Sequence, residues 1–428
     1  MNFFVVTAIL VIFYVLLIWK SGKTYPILYM FFFTFFLQYI YSTYLIYNNY
    51  AKLKSQMPIR QEVLFDFAIP AVIALFLGIW LFNTDYDIRN TVKKIDPIKA
   101  TRLGYFLLFI SYGFDFMSLI GIGWFGSLTS FTYYLKFLAV FCFLFTNSKF
   151  LYFLSSLIYG HLVINVLGSG VFIDLIIWGV FLFFFISLRF RLSFFFRGVL
   201  FLSAVPLLIL IQSVKDEYRK LVWSNKEESG IALFAELAQQ ENERQTGPIE
   251  ESKGVVLTVA RLSQGWHLGL TLKRVPQFQP FADGQEMLSD IGSAILPRFL
   301  FPEKKVVHTK EKFYRYTGHK LKSSTSMTIG ILGDFYVNFG KKWSLVMLFV
   351  FGAMVSRIVA FFNKNFVQSR DPINIVWVPF IFSYLIRADN DFYIFLNCLI
   401  KGFIIFLVIN YIRYQLLEPK KMRPVVGV

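Results

Sequence analysis

The chain is short of charge, of acid and of cysteine. Only 16% of its 428 residues are charged, against roughly 25% in an average soluble domain. With 56% hydrophobic residues, that shortage excludes a disordered chain and an ordinary soluble enzyme. The two cysteines, Cys142 and Cys398, lie inside apolar runs, so neither a disulfide framework nor a thiolate metal site is expected. The four histidines (His161, His267, His308, His319) are scattered without HExxH or other ligand spacing, and no metal or cofactor is expected. Residues 1–19 lack a basic leader and a small-residue cleavage site, so they read as a retained helix rather than a signal peptide. No internal repeat is visible.

What the chain does have is phenylalanine, 53 residues of it, in apolar runs of about 18 to 22 residues that match a bilayer core of roughly 30 Å. The expected fold class is an all-α polytopic integral membrane protein. Eleven spans are expected, near 3–19, 25–47, 63–83, 103–122, 128–146, 150–167, 171–188, 193–212, 343–362, 373–386 and 392–411. The organisation is then a bundle over 1–212, a large loop subdomain over 213–342, and a second bundle with a basic tail over 343–428.

The net charge of +17 is not that of a nucleic-acid binder, because the basic residues sit between apolar runs rather than on a soluble face. With a cytoplasmic C-terminus, sixteen of them, from Lys20 to Arg423, fall in cytoplasmic segments, and four (Lys52, Lys54, Arg60, Arg387) in the opposite short loops. This asymmetry orients the chain with the N-terminus and the 213–342 loop outside. The loop holds 19 basic and 15 acidic residues and is long enough to be functional.

Within the loop, Pro297 and Pro302 bracket Arg298, and proline holds such a corner stiff and non-helical. A stretch rich in hydroxyls and glycine follows and turns apolar, Gly330-Ile331-Leu332-Gly333-Asp334-Phe335-Tyr336-Val337-Asn338-Phe339-Gly340. Together with Arg261, Gly284, Lys305 and Ser324-Thr325, these residues resemble the oligosaccharide repeat-unit polymerases, the O-antigen and exopolysaccharide polymerases. The motifs cover about 255–345, and the hydropathy layout covers the whole chain. The sequence departs from the pattern at Gly168-Ser169-Gly170, where many members carry an arginine close by.

The resemblance implies a bacterial inner-membrane glycosyltransferase, of broadly GT-C-like architecture, that acts on polyprenyl-diphosphate-linked oligosaccharides among membrane lipids, alongside a flippase and a chain-length regulator. A diphosphate leaving group calls for fixed positive charge, and arginine grips phosphate oxygens bidentately. Arg298 and Arg261 are the leading diphosphate ligands, with Arg315, Lys305 and Arg387 as further candidates. Asp334, His319 and His308 are candidates for the base that takes the sugar hydroxyl's proton; for Asp334 an N-cap role weighs equally. Ionisable groups inside spans (Asp115, Lys136, Asp174, Arg357, Lys401) also need an account, and Asp115 is placed to pair with Lys136. A ligase serving another acceptor, or a lipid-linked sugar transporter, would share parts of this layout.

Overall fold

The computed structural model describes residues 2–120, 131–224, 230–244, 252–295, 309–322 and 325–416, and all regular structure among them is helical. Among the described residues, eight helices are long and apolar enough to cross a membrane. In chain order these are α1 (Phe3–Ser21), α2 (Ile27–Asn49), α3 (Gln61–Phe82), α6 (Lys149–Ser169), α7 (Ile173–Phe190), α8 (Phe194–Trp223), α14 (Gly330–Phe362, running on to Gln368) and α16 (Phe392–Leu416).

The other three expected spans also form helices, but of a different kind. Helix α4 (Pro97–Leu119) is long yet diluted by Arg102, Asp115 and several Ser, Gly and Tyr residues. Over the described residues, helices α5 (Leu135–Leu144, extended to Phe131) and α15 (Pro372–Ile386) are shorter than a bilayer span. Every residue from Leu135 to Leu144 is buried. An apolar run of that length is more often a core helix sheltered by its neighbours than a lipid-facing span.

The expected loop boundaries at 213 and 342 fall inside helices. Helix α8 continues to Trp223, and α14 starts at Gly330. Among the described residues between them lie five short helices, α9 (Ile231–Arg244), α10 (Lys253–Leu262), α11 (Gly265–Arg274), α12 (Gln285–Ile295) and α13 (Thr309–Thr317). They form a cap at one end of the bundle. Helices α9 and α10 lie on α8, α11 lies on α13 and α14, and α12 lies on α16.

The basic belt gathers at the opposite end. Lys20 pairs with Asp85, and the Ile88 N–H donates to the Lys23 carbonyl. Arg189 donates to Asn147 and to the Leu144 carbonyl, and Arg413 meets Asp371 at 2.8 Å. The expected Asp115–Lys136 pair is present, with the lysine Nζ also 4.7 Å from the rings of Tyr112 and Tyr133.

Phenylalanine fills the interior edge-to-face and stacked, as in the Phe31–Phe35 stack with 3.9 Å between centroids. Small residues bring the central helices together. Helices α3 and α14 touch through Gly78 and Gly352, where an added Cβ would meet the Phe349 carbonyl oxygen at 2.0 Å and the Leu75 carbonyl oxygen at 2.3 Å. Close backbone approach of this kind replaces the hydrophobic effect as the adhesive between helices in lipid. Gly352→Leu is therefore expected to lower the detergent-solubilised protein's stability by about 1–3 kcal/mol. Gly179→Ala, where the added carbon meets nothing within 4 Å, should leave the thermal unfolding curve unchanged.

Candidate functional site

The cap is seated by a local irregularity in α2. Residues Phe36–Tyr41 form a π turn, which frees a backbone carbonyl from the regular ladder. The Gln38 carbonyl takes a hydrogen bond from the Gln264 N–H at 3.0 Å. Beside it Thr43 Oγ1 and Ser263 Oγ lie 2.8 Å apart, and Gly265 packs so close to Thr43 that no Cβ would fit. From the same turn the Tyr39 hydroxyl donates to the Ala388 carbonyl at 3.2 Å. It also fills the space over Gly330, whose φ of +71° suits glycine.

The Gly330–Gly340 run is a docking strip for the cap. Every residue from Gly330 to Asn338 is buried. Tyr336 donates its hydroxyl proton to the Val275 carbonyl at 3.1 Å. The Asn338 side-chain oxygen accepts from the Met287 N–H at 3.1 Å in the first turn of α12, and its own carbonyl accepts from Gly284 at 3.1 Å. Gly340 then breaks the helix, with φ +66° and ψ −179°.

Asp334 anchors the centre of this strip. One carboxylate oxygen accepts from the Phe392 N–H at 2.9 Å, at the start of α16, and the other faces Lys312 Nζ at 2.7 Å. Lys312 also meets Asp290 at 2.8 Å, and its side chain is only 5% exposed. Asp391, itself buried, adds its charge to the same group. One buried lysine from α13 thus joins α12, α14 and the start of α16. Geometry gives Asp334 the work of a clasp, with both oxygens engaged and no exposed surface.

Three carboxylates surround one ammonium, and the excess negative charge shapes their titration. Burial, with the neighbouring Asp334, pushes Asp290 and Asp391 up to about 6 against the opposing pull of Lys312. Burial alone would lower the lysine; Asp334, Asp391 and Asp290 outweigh it and raise it. His267 lies nearby, against Phe313 and Trp266. Its ring nitrogens are buried with no partner among the described residues, and burial lowers it to about 4, so it is neutral at pH 7.

The expected phosphate ligands separate into groups. Arg298, Lys305 and His308 lie outside the described residues. Arg315 pairs with Glu286 on the cap, and its carbonyl accepts from Arg274 Nε at 2.8 Å. His319 is exposed, edge-on to Trp266. Arg261 on α10 reaches back to α8, where it pairs with Asp216 at 2.5 Å and with Gln212. Lys215 and Arg219, also on α8, lie within electrostatic range of it. Arg387 sits on the elbow between α15 and α16, pairs with Asp389 at 3.0 Å and stacks over Tyr384. Burial opposes its charge, but Asp389 and then Tyr384 and Asp174 raise its proton affinity above the usual value.

Two of these arginines reach the start of α7 at separate points, Arg219 at Gly170 just before it and Arg387 at Asp174 in its first turn. Arg219 Nε donates to the Gly170 carbonyl at 2.7 Å, and the Gly170 φ of +66° leaves the arginine stem 3.1 Å from where a Cβ would stand. An arginine beside this glycine is thus supplied from α8 rather than from the glycine's own helix. Asp174, one turn further on, faces Arg387 and lies 3.4 Å from the Tyr134 hydroxyl. The sequence marked Arg261, Arg387 and Asp174 but gave no sign of Arg219, Lys312 or Asp290, which look in sequence like ordinary charges of a solvated face.

Two outcomes test the clasp. Lys312→Met leaves three buried carboxylates without a cation and is expected to cost about 3–5 kcal/mol, read as lowered thermal stability in detergent and faster proteolysis within 252–322. Asp391→Asn keeps the shape and removes one charge. The carboxyl's folded value of about 6 lies above its unfolded one, so its contribution is full at low pH and lost as pH rises through about 6. Asp391→Asn should therefore raise the melting temperature at pH 8, with the gain vanishing near pH 4.

A family model described as "Domain of unknown function (DUF8712)" matches residues 24–418. No curated protein and no solved structure matches the chain. The match covers most of the chain, which belongs to that family.

Proposed function

We propose that this member of the DUF8712 family polymerises lipid-linked oligosaccharide repeat units at the outer face of the bacterial cytoplasmic membrane. The growing glycan passes from its polyprenyl diphosphate to the next lipid-linked unit. The observation that carries this reading is that two guanidinium groups reach the start of α7, Arg219 at Gly170 and Arg387 at Asp174, with Arg261 beside Arg219. The resemblance of the Gly330–Gly340 run to the polymerases supports it, and so does the burial of that run under the cap.

The chemistry follows from charge. Breaking the bond between sugar and diphosphate leaves negative charge on the phosphate oxygens, and cations already aimed at those oxygens lower the barrier without reorganising. Arginine does this at any physiological pH because it stays protonated. Asp216 and Asp389 hold the cations in place while remaining half exposed, at 51% and 46% of their side-chain surface, so an arriving phosphate exchanges for them. The basic belt at the other end of the bundle supports a cytoplasmic placement of that end and an outward-facing cap. A ligase would need the same cations and differ only in its acceptor.

Arg219→Ala and Arg387→Ala, each expressed in cells that make the lipid-linked unit, should lose long glycan chains while single units still reach the final acceptor. Removal of one such donor group is expected to slow transfer by roughly 10²–10³-fold. Wild-type chain lengths on gels in both variants would overturn the site. A wild-type protein that transfers glycan to a different acceptor without lengthening it would turn the reading to the ligase.

A further inference from the structure

We infer that Asp174 is the general base of this site, taking the proton from the acceptor sugar's hydroxyl where α5, the start of α7 and the 383–391 elbow meet. The inference deepens the polymerase reading and rests on it.

The argument begins from cost. Asp174 lies in the first turn of a membrane-spanning helix and is half-buried there. Ionisable groups at membrane depth are expensive and persist where they have work to do. Its neighbours account for its charge only in part. Each of its carboxylate oxygens stands 3.4 Å from the Tyr134 hydroxyl, a long contact for one shared proton, so lone pairs remain for a second donor. Arg387 supplies positive charge from the elbow, though its own guanidinium is engaged with Asp389. The other titratable groups that face Asp174 are Tyr133 on α5 and Tyr384 on the elbow.

The surroundings are rigid. Tyr134 stacks on Trp178 with 5.4 Å between centroids, and Trp178 stacks on Phe137 at 4.4 Å, nearly parallel. The ring whose hydroxyl faces Asp174 is thus held in place. Two other described carboxylates at this end are held by cations. Asp334 has both oxygens engaged, and Asp389 is held by Arg387, which weakens it as a base.

The step balances. The Asp174 carboxylate removes the proton from the acceptor hydroxyl, and the hydroxyl oxygen forms a bond to the anomeric carbon of the growing glycan. The bond from that carbon to the diphosphate oxygen breaks, and its electron pair leaves with the polyprenyl diphosphate, whose charge Arg387 and Arg219 meet. The proton then passes from Asp174 to water.

The test uses the full chain in detergent, with lipid-linked repeat units extracted from membranes of a producing cell as substrate. Turnover of the wild type should rise with pH along an acidic limb. Asp174→Asn should lose about 100-fold or more of turnover and the limb itself, with KM for the lipid-linked unit within about threefold of the wild type. Asp174→Glu should recover part of the rate. Tyr134→Phe keeps the ring stack but removes the hydroxyl that steadies the carboxylate, so its limb should move to higher pH. Asp174→Asn turnover within about threefold of wild type, or an unmoved limb in Tyr134→Phe, would overturn the assignment while leaving the polymerase standing. A wild type that leaves the units unextended would overturn both.

Discussion

The structure depends on a single buried ammonium. Lys312 is nearly inaccessible, yet it stands among three aspartates from three other parts of the chain. Removing any of these charges from water is costly, and the cost is recovered only when the geometry is complete. That condition makes the cap's position specific. Helices α12 and α13 cannot slide over the bundle without separating Lys312 from Asp334 or Asp290. The hydrophobic effect could not impose this register, because apolar contacts with lipid tails and with protein are nearly equivalent.

From that fixed point the rest of the loop end follows. Asp334 joins the clasp to the first residue of α16, and the elbow before α16 carries Arg387. Tyr39, held in the π turn of α2, ties Gly330 to Ala388 on the same elbow. Arg387 is thus positioned by a chain of contacts that begins inside the cap. The second cation group is organised separately, by Asp216 and Gln212 on the extension of α8. From this group Arg219 binds the Gly170 carbonyl just before α7, while Arg387 faces Asp174 in the first turn of that helix.

Much of this was legible in the sequence for plain reasons. Apolar length is a direct consequence of bilayer thickness, so all eight long helices fall among the eleven expected spans, which also took in three shorter or more polar helices. The Gly330–Gly340 run stood out because glycine, aspartate and asparagine are unusual at the approach to a span; each proves to have a backbone task there. The pairing of Asp115 with Lys136 followed from the adjacency of antiparallel helices. The short helices α5 and α15 did not announce themselves as core elements, because hydropathy alone does not distinguish lipid from protein as the apolar neighbour. Lys312 and Arg219 sit among other charged residues, and no local pattern separates a buried charge from a solvated one.

The sequence by itself therefore determined the class of the molecule and the distribution of basic residues along the chain. These are one-dimensional properties, fixed by transfer free energies residue by residue. Tertiary structure alone decided which charges are spent on holding the cap and which keep part of their surface exposed. Asp334 and Asp174 look alike in sequence, each an acid at the edge of an apolar run. One is sealed by partners from α13 and α16, while the other keeps room for a further hydrogen bond, because only the packing of distant segments sets how many donors reach a carboxylate.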